Sequence, residues 1–484
     1  MFKRPVRLHW LRRRTAAPLV LLAQCLAMAS PTGFAAGNFG CTTPFTTPTI
    51  SSSFASDNPG VSLQDDVDCY AWQTFIALNW RADPAMRGEP DKSATAADFG
   101  QPDDLSPTVW ASYKQAGEVF VAEGVPKTWN DAEPLPPACR QLAGSPATGH
   151  LLRMTSKFSA DQVLDSELEA GANAWLTAQN RTLVRYEKRM NRDEFNYVVQ
   201  NRLFRDACQA RQASTAGLSL PDGSQSQYGS QGAIEIKAAW LELTEADRPR
   251  WNRFKRMQAY ILESPSQCRA ATMGLVGLHI IHKTASFPQL MWATFEQVDN
   301  APTLGEEQLQ DHYSFYDPQC AGVGPGDVCP PTADPACQCN RVPAKDDPKD
   351  RPVQVARVNR ISDRVQALNQ AVHALIAAAN PDSVWQYYRL VDVSWPKDSD
   401  QVARPGAILP LYAGAPSSNG LKVANVTLET YLQSRTCQDC HQSARIAGPQ
   451  PPPGTPALAA DFSFLFDDAK QGGTTREVNE PCHE

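Results

Sequence analysis

The sequence lacks the short motifs that mark several large enzyme classes. It contains no Walker A phosphate loop, no HExxH signature and no GxSxG nucleophile elbow. These absences leave P-loop nucleotide hydrolases, HExxH zinc proteases and α/β-hydrolases without support. The glycine-containing stretch "GVGPGD" at 322–327 is no substitute, because it contains a proline and lies among cysteines.

Positive charge and long apolar runs are also scarce. The chain has a formal net charge of −7, and six of its 45 Lys and Arg but none of its 52 Asp and Glu lie in the first 35 residues, so the remainder has a net charge of −13. Such an excess of negative charge argues against nucleic acid or an anionic membrane surface as a partner. Beyond residue 35 no stretch is long and apolar enough for a membrane helix. We therefore expect neither a nucleic-acid partner nor a membrane span.

The first 35 residues have the layout of a secretory signal peptide. "MFKRPVRLHWLRRR" is basic, "APLVLLAQCLAMA" is a short apolar core, and Ala29 and Ala35 are candidate cleavage positions. This order of segments is typical of export signals. We expect residues 1–35 to be removed and the mature protein to be periplasmic or secreted.

Cysteine is abundant and its number is informative. Thirteen cysteines are present, and Cys25 lies in the signal segment. If Cys437 and Cys440 act together, ten remain, an even number that suits disulfides in an oxidising compartment. Four of the ten lie in a stretch rich in Pro, Gly and Asp, which predicts a disulfide-stapled loop with a zinc site as the alternative; they are Cys320, Cys329, Cys337 and Cys339.

Hydrophobic periodicity predicts both helices and strands. Helical spacing occurs in "DVDCYAWQTFIALNW", at Trp110–Phe120, after Asn191 as an N-cap, at Val355–Leu375, and in "TLETYLQS" after Thr427 as an N-cap. Four segments are dense in β-branched and aromatic residues, as strands are: "AIEIKAAW", "GLHIIHK", "PQLMWATFEQ" and "VWQYYRLVDVSW". The pattern predicts an α+β fold with an antiparallel or mixed sheet.

The stretch "TCQDCHQS" at 436–443 carries the strongest chemical signal. Two cysteines separated by two residues and followed at once by histidine are the pattern of covalent haem attachment. The two thiols reach the two vinyl groups at one edge of the porphyrin, and the adjacent imidazole reaches the iron. We expect one haem c per chain, with Cys437 and Cys440 as thioether anchors and His441 as proximal iron ligand.

Two other interpretations of this motif compete with haem. A thioredoxin-like CxxC begins a helix that follows a strand, whereas here the sequence predicts a preceding helix. A structural zinc site needs a second pair of ligands, and only the distant Cys482 and His483 offer one.

The sixth iron ligand is not evident. An ordinary cytochrome c module carries a methionine ligand downstream of its motif, but only 43 residues follow His441 and no methionine lies beyond Met291. The upstream body must therefore complete the site or leave the iron open. His279 or His282 is the first candidate for the distal position, with Met273 and Met291 next. On a strand the two histidines would point to opposite faces, so at most one could reach the iron.

Several phrases together resemble a known group of proteins. "TLETYLQSRTCQDCH", "DFSFLFDDA", "GLHIIHKTASFPQLMWATFEQVDN", "NRDEFNYVV" and "WQTFIALNW" are similar to exported bacterial proteins described only as cytochrome c family proteins. The resemblance covers about residues 66–470 and implies a c-type haem on Cys437, Cys440 and His441. It implies no substrate.

These observations divide the chain into five predicted segments. They are a signal peptide at 1–35, an α+β body at 36–316, the disulfide loop at 317–352, a helix and strand completing the body at 353–424, and a helical haem-attachment segment docked on the body at 425–484. The favoured function is one-electron transfer by a periplasmic monohaem protein, with an unidentified redox partner protein or small-molecule substrate. The alternatives are a haem-dependent oxidoreductase of peroxidase or oxygenase type, with His279 or His282 as acid–base group, and a non-catalytic haem sensor or binding module.

Overall fold

Seven helices and eight strands form the regular structure of the residues that a computed structural model describes. Those residues are 41, 48–55, 57, 64–121, 124–132, 134–143, 149–152, 174–264, 266–305, 310–320, 328–395, 422–448, 458–469 and 482. The helices are α1 (Gln64–Leu78), α2 (Ala116–Val119), α3 (Pro137–Ala143), α4 (Arg192–Gln200), α5 (Asp206–Thr215), α6 (Asp363–Ala379) and α7 (Cys437–His441). The strands are β1 (Lys114–Gln115), β2 (Leu151–Leu152), β3 (Val184–Met190), β4 (Ile234–Glu242), β5 (Arg256–Ser264), β6 (Gln267–His282), β7 (Met291–Gln297) and β8 (Tyr388–Ser394).

All eight strands belong to one mixed sheet, in the order β1-β3-β4-β6-β5-β2. The long strand β6 pairs with β4 on one side, while on the other side it pairs first with β5 and then with β7, which continues to β8. Only the short β2–β5 pair is parallel. The predicted α+β class with a mixed sheet is confirmed.

The two faces of the sheet are covered differently. On the back face, α1 and α6 bury the aromatic core: the Trp72 ring lies 5.0 Å from that of Phe295, and its indole N–H donates to Asn369. The front face carries Lys237 and His279, which are cross-strand neighbours. There the described residues 422–448 and 458–469, here called the C-terminal segment, lie against the sheet. The front face therefore holds the predicted haem motif.

Several predicted elements are confirmed and others are wrong. The helix α1 and the strands β4, β6, β7 and β8 lie where the sequence indicated them, and Asn191 caps α4 by accepting from the Glu194 N–H. The predicted helix at Trp110–Phe120 is instead a 3₁₀ turn, the strand β1 and the single turn α2. The helix predicted from Val355 begins only at Asp363, after the N-cap Ser362.

The predicted helix "TLETYLQS" is wrong. Residues 426–435 form successive turns, and the cap is Asn425, whose side-chain oxygen accepts from the Thr427 N–H and hydroxyl. The helix of this segment is α7, the CxxCH motif itself. Buried hydrogen bonds from Asn425 to Thr294 and to the Phe295 carbonyl fix the turns on the sheet and explain the departure from helical geometry.

Five disulfides join ten cysteines, as the even count predicted. Two of them, Cys320–Cys337 and Cys329–Cys339, staple the Pro- and Gly-rich loop. The others, Cys41–Cys69, Cys139–Cys268 and Cys208–Cys482, join distant segments. Cys437 and Cys440 belong to none of them. The predicted signal peptide at 1–35 lies outside the described residues, and among the described helices none has the length and apolar character needed to cross a bilayer.

A glycine marks the point where the C-terminal segment crosses the sheet. A Cβ atom at Gly277 would lie 2.2 Å from the Thr427 hydroxyl and 3.0 Å from the Asn425 side-chain oxygen. We expect Gly277→Ala to lower the free energy of unfolding by about 1–3 kcal/mol, because added bulk in a packed contact forces a backbone shift. Urea denaturation of the single and double variants with Thr427→Ala measures the effect. If the two changes are additive, the contact does not position the segment.

Candidate functional site

The CxxCH motif forms the short helix α7. Thr436 caps it by accepting from the Asp439 N–H at 3.2 Å, and the Asp439 carboxylate accepts from the Thr436 N–H at 2.8 Å. This reciprocal pair is a capping box, which fixes where the helix begins. Cys437 is therefore the first helical residue, and the predicted helix before the motif is absent from the described residues. Turns precede it, rather than the strand of a thioredoxin-like site.

The three motif side chains line one cavity of about 390 Å³ between the front face of the sheet and the C-terminal segment. This volume lies within the usual range of about 300–1,000 Å³ for ligand and cofactor sites. The walls are mainly apolar and are formed by Ile236, Ile281, Trp292, Val423, Leu428, Leu432, Phe464 and Leu465. The cavity is thus a mainly apolar cleft with cysteine and histidine in its wall.

His441 is oriented by its surroundings. Its Nδ1 lies 2.8 Å from the Phe462 carbonyl oxygen, and because a carbonyl only accepts, the ring proton is on Nδ1. The lone pair is then on Nε2, the nitrogen through which such histidines usually bind metals. The ring packs against Trp292 and Phe464, with centroids 4.2 and 4.8 Å away. His441 is therefore held in one orientation, with Nε2 as the nitrogen that can accept or bind a metal.

The thiol of Cys437 is not activated for redox exchange. Burial raises its pKa well above the usual range, and the nearby Glu429 and Cys440 add to the effect. Reactive cysteines need a lowered pKa, because the thiolate is the nucleophile. The start of a helix would favour the thiolate, but burial outweighs it here. A thioredoxin-like role is therefore disfavoured on electrostatic grounds.

The two candidate distal histidines lie on opposite faces of β6. His279 lines the cavity with His441, and its Nε2 lies 2.8 Å from the Glu429 carboxylate. His282 is buried on the back face, where its ring nitrogens bond to the Tyr70 hydroxyl at 3.1 Å and the Gln231 carbonyl at 2.7 Å. The structure thus brings His279, and not His282, to the motif.

The methionine candidates lie elsewhere. Met273 and Met291 are fully buried in the aromatic and aliphatic core, and neither lines this cavity. In the described part of the chain no group of three or more His, Cys, Asp or Glu side chains converges as a metal ion requires. The side chains of Cys437, Cys440 and His441 therefore do not by themselves form a site for a bare metal ion.

Charged residues that the sequence did not single out surround the cavity. Lys188, Lys237 and Arg435 contribute positive charge, and Glu235 and Glu429 contribute carboxylates. Burial alone would raise the pKa of Glu429, but His279 and Lys237 outweigh it and hold that pKa below the usual range. His279 and Glu429 lie 150 positions apart in the sequence, and no sequence pattern relates residues at that separation. Their contact could therefore be found only in the folded structure.

Comparison with known proteins adds no family to this picture. No protein-family model, no curated protein and no solved structure matches the chain. The resemblance to exported cytochrome c family proteins stays a prediction.

Proposed function

We propose that this protein covalently binds one haem c through Cys437, Cys440 and His441 and transfers single electrons. The observation that carries the proposal is the setting of the motif: two cysteines outside all disulfides and a histidine with its lone pair on Nε2 line one apolar cavity. Haem attachment needs two thiols and one imidazole in a single turn of chain. The capped helix α7 supplies this arrangement.

The residues of the cavity fit the group. The apolar walls would exclude water from the porphyrin faces, and Lys188, Lys237 and Arg435 would attract its two carboxylates. The haem would supply a reversible one-electron couple, whose potential depends on axial ligands, burial and hydrogen bonding. The Phe462 carbonyl would make His441 a stronger donor by accepting its Nδ1 proton.

The disulfides and the start of the sequence both support export. Five disulfides suit an oxidising compartment, and the basic and apolar start of the sequence suits a signal peptide. We infer a periplasmic or secreted location and a redox partner whose docking surface is basic, because the chain beyond residue 35 is acidic.

A second candidate function rests on the hydrogen bond between His279 and Glu429. A histidine held by a carboxylate on the wall of a haem cavity could move protons to and from a small substrate or peroxide. This arrangement favours a haem-dependent oxidoreductase of peroxidase type. In that role His279 would be the acid–base residue and Glu429 the residue that orients it.

Variants of this pair separate the two functions. If the second candidate is correct, His279→Ala should lower peroxide turnover by about 10²–10⁴-fold and leave the haem spectrum unchanged. Glu429→Gln should shift the pH profile of that turnover. A high-spin, CO-binding spectrum in His279→Ala would instead make His279 an iron ligand and favour electron transfer. The exposed His312→Ala serves as the control.

The proposal itself is tested by spectroelectrochemistry of the full chain produced with a haem-attachment system. We expect a reversible one-electron couple that exchanges rapidly with a basic one-electron carrier protein. Covalent haem without reversible cycling would contradict electron transfer and would leave the oxidoreductase or a haem-containing binding module.

A further inference from the structure

Three carboxyl groups from different elements lie together in the interior beside the cavity. Glu194 comes from α4, Glu235 from β4, and Asp461 from the segment that follows the motif; the first and last are completely buried. The start of α4 is held to β4 by the Asn191 N–H, which donates to the Ile234 carbonyl, and Asp461 is held there by Lys283, whose N–H donates to the Ala233 carbonyl. Both carboxylate oxygens of Glu194, one of Glu235 and one of Asp461 have no hydrogen-bond partner among the described residues. Buried polar atoms without partners are rare and call for an explanation.

A proton resolves part of this arrangement. Two ionised carboxylates only accept, but one proton placed between Glu194 and Glu235 joins them by a hydrogen bond. Burial raises the pKa of Glu194 well above its usual range, with Glu235 and Asp461 adding to it, and raises that of Glu235 to about 7. Such pairs share one proton near neutral pH.

The charged neighbours leave the pair short of positive charge. Lys283 reaches the cluster from the end of β6, but its ammonium pairs with Asp461 at 2.6 Å. Lys188 on β3 attracts Glu235, although its ion pair is with Asp468 at 3.0 Å. Both lysines near the two carboxyls are thus already paired with aspartates.

The same short segment contacts both the pair and the motif histidine. At 461–463, Asp461 joins the cluster, the Phe462 carbonyl accepts from His441, and the Ser463 side chain acts to lower the pKa of Glu235. Asp461 and Phe462 both have left-handed backbones, with φ of 50° and 68°. Consecutive non-glycine residues keep this conformation only where the surroundings enforce it, and such strain clusters at functional sites.

The pair also lies close to the histidine across the sheet. Glu235 lines the cavity that His441 lines, and its cross-strand neighbour Ile281 is paired in turn with Trp292, whose ring packs on His441. Glu235 on β4 and Trp292 on β7 are therefore two strand spacings apart, which is about 10 Å. Charges at this separation inside a protein interact appreciably, and burial protects the interaction from salt.

We propose that Glu194 and Glu235 form a proton-binding site that takes up one proton when the haem is reduced, so that the protein transfers a proton together with the electron. The inference rests on the proposed function, since it requires the haem. In the haem-loaded protein an external one-electron donor would supply the electron that reduces ferric to ferrous iron, and the pair would take one proton from solvent and become two carboxylic acids.

The midpoint potential as a function of pH tests this coupling. In the haem-loaded protein we expect the potential to fall as pH rises through the range around 7, by up to about 59 mV per pH unit, since a tenfold change in a one-electron equilibrium corresponds to that value. Glu235→Gln should flatten the slope, and so should Glu194→Gln. The matched control Glu245→Gln removes a carboxylate that is 77% exposed and should keep the slope.

An infrared difference spectrum between reduced and oxidised protein gives a second, independent signal. A carboxylic acid band should grow on reduction and should disappear in either glutamine variant. The test therefore needs only one of the two variants to fold. Covalent haem with a potential independent of pH would overturn this inference and leave the proposed function intact. A chain without covalent haem would overturn both.

Discussion

Replacing Cys437 and Cys440 together by serine should abolish covalent haem. Each thioether requires a sulfur, and these are the two described cysteines that no disulfide occupies. After acid–acetone extraction, the wild-type polypeptide should keep its haem absorbance and the mass of one haem, whereas the double variant should have neither. Each single variant should keep one thioether at reduced yield.

A disulfide variant provides the control for this result. Removing Cys329–Cys339 should cost about 2–4 kcal/mol of stability, since cross-links restrict the unfolded chain, but haem attachment should persist. Haem that survives extraction in the Cys437→Ser, Cys440→Ser protein would contradict the assignment of the anchors.

Arg357→Met should be among the most destabilising single changes on the front face. Arg357 and Glu296 are both almost fully buried and pair directly; Arg389 holds the other carboxylate oxygen at 2.9 Å. Arg357 also donates to the Ala424 carbonyl at 3.0 Å, which ties the C-terminal segment to the sheet. Losing one partner of a buried ion pair typically costs about 3–5 kcal/mol.

Urea denaturation with the disulfides intact measures this cost. Arg248→Met is the matched control, because Arg248 and Glu245 are largely exposed and such a pair is worth about 0–1 kcal/mol. Substituting Glu296 and Arg357 together by methionine should restore part of the loss, because the charge that then loses its carboxylate is that of Arg389, which is partly exposed. A loss below about 1 kcal/mol in Arg357→Met would show that the pair does not anchor the segment.

The same pair gives a pH dependence of defined sign. Burial alone would raise the pKa of Glu296, but Arg357 and Arg389 outweigh it and hold the pKa below its usual range. The pair therefore stabilises the fold at pH values above the ordinary pKa of glutamate, and this contribution is lost as the pH falls through the lowered value.

Elements with apolar periodicity could be predicted from the sequence, whereas those with buried charge could not. Strands β4 and β7 contain Ile, Trp and Phe at the spacing typical of buried strands, so they could be predicted from the sequence. Strand β3, "VRYEKRM", was missed because Glu187 and Arg189 are buried in it as a pair at 2.8 Å. Hydrophobic periodicity cannot detect charges that are neutralised by partners from elsewhere in the chain.

Helical spacing of apolar residues also fails to predict structure where tertiary hydrogen bonds replace those of a helix. "TLETYLQS" has helical spacing, yet Asn425 and Thr427 bond to each other and to the sheet, and the chain turns. The motif indicated its three residues because their chemistry is local. Glu235, Glu429 and Phe462 come to the cavity from distant positions, so only the fold could reveal them.

Covalent haem attachment is tested most directly by the optical spectrum of the extracted mature protein. The full chain is produced with a haem-attachment system, extracted with acid–acetone, and measured before and after dithionite and then CO. We predict a haem band that stays with the polypeptide at one haem per chain. Loss of all haem on extraction would contradict covalent attachment and would leave disulfide or metal chemistry as the role of Cys437–His441.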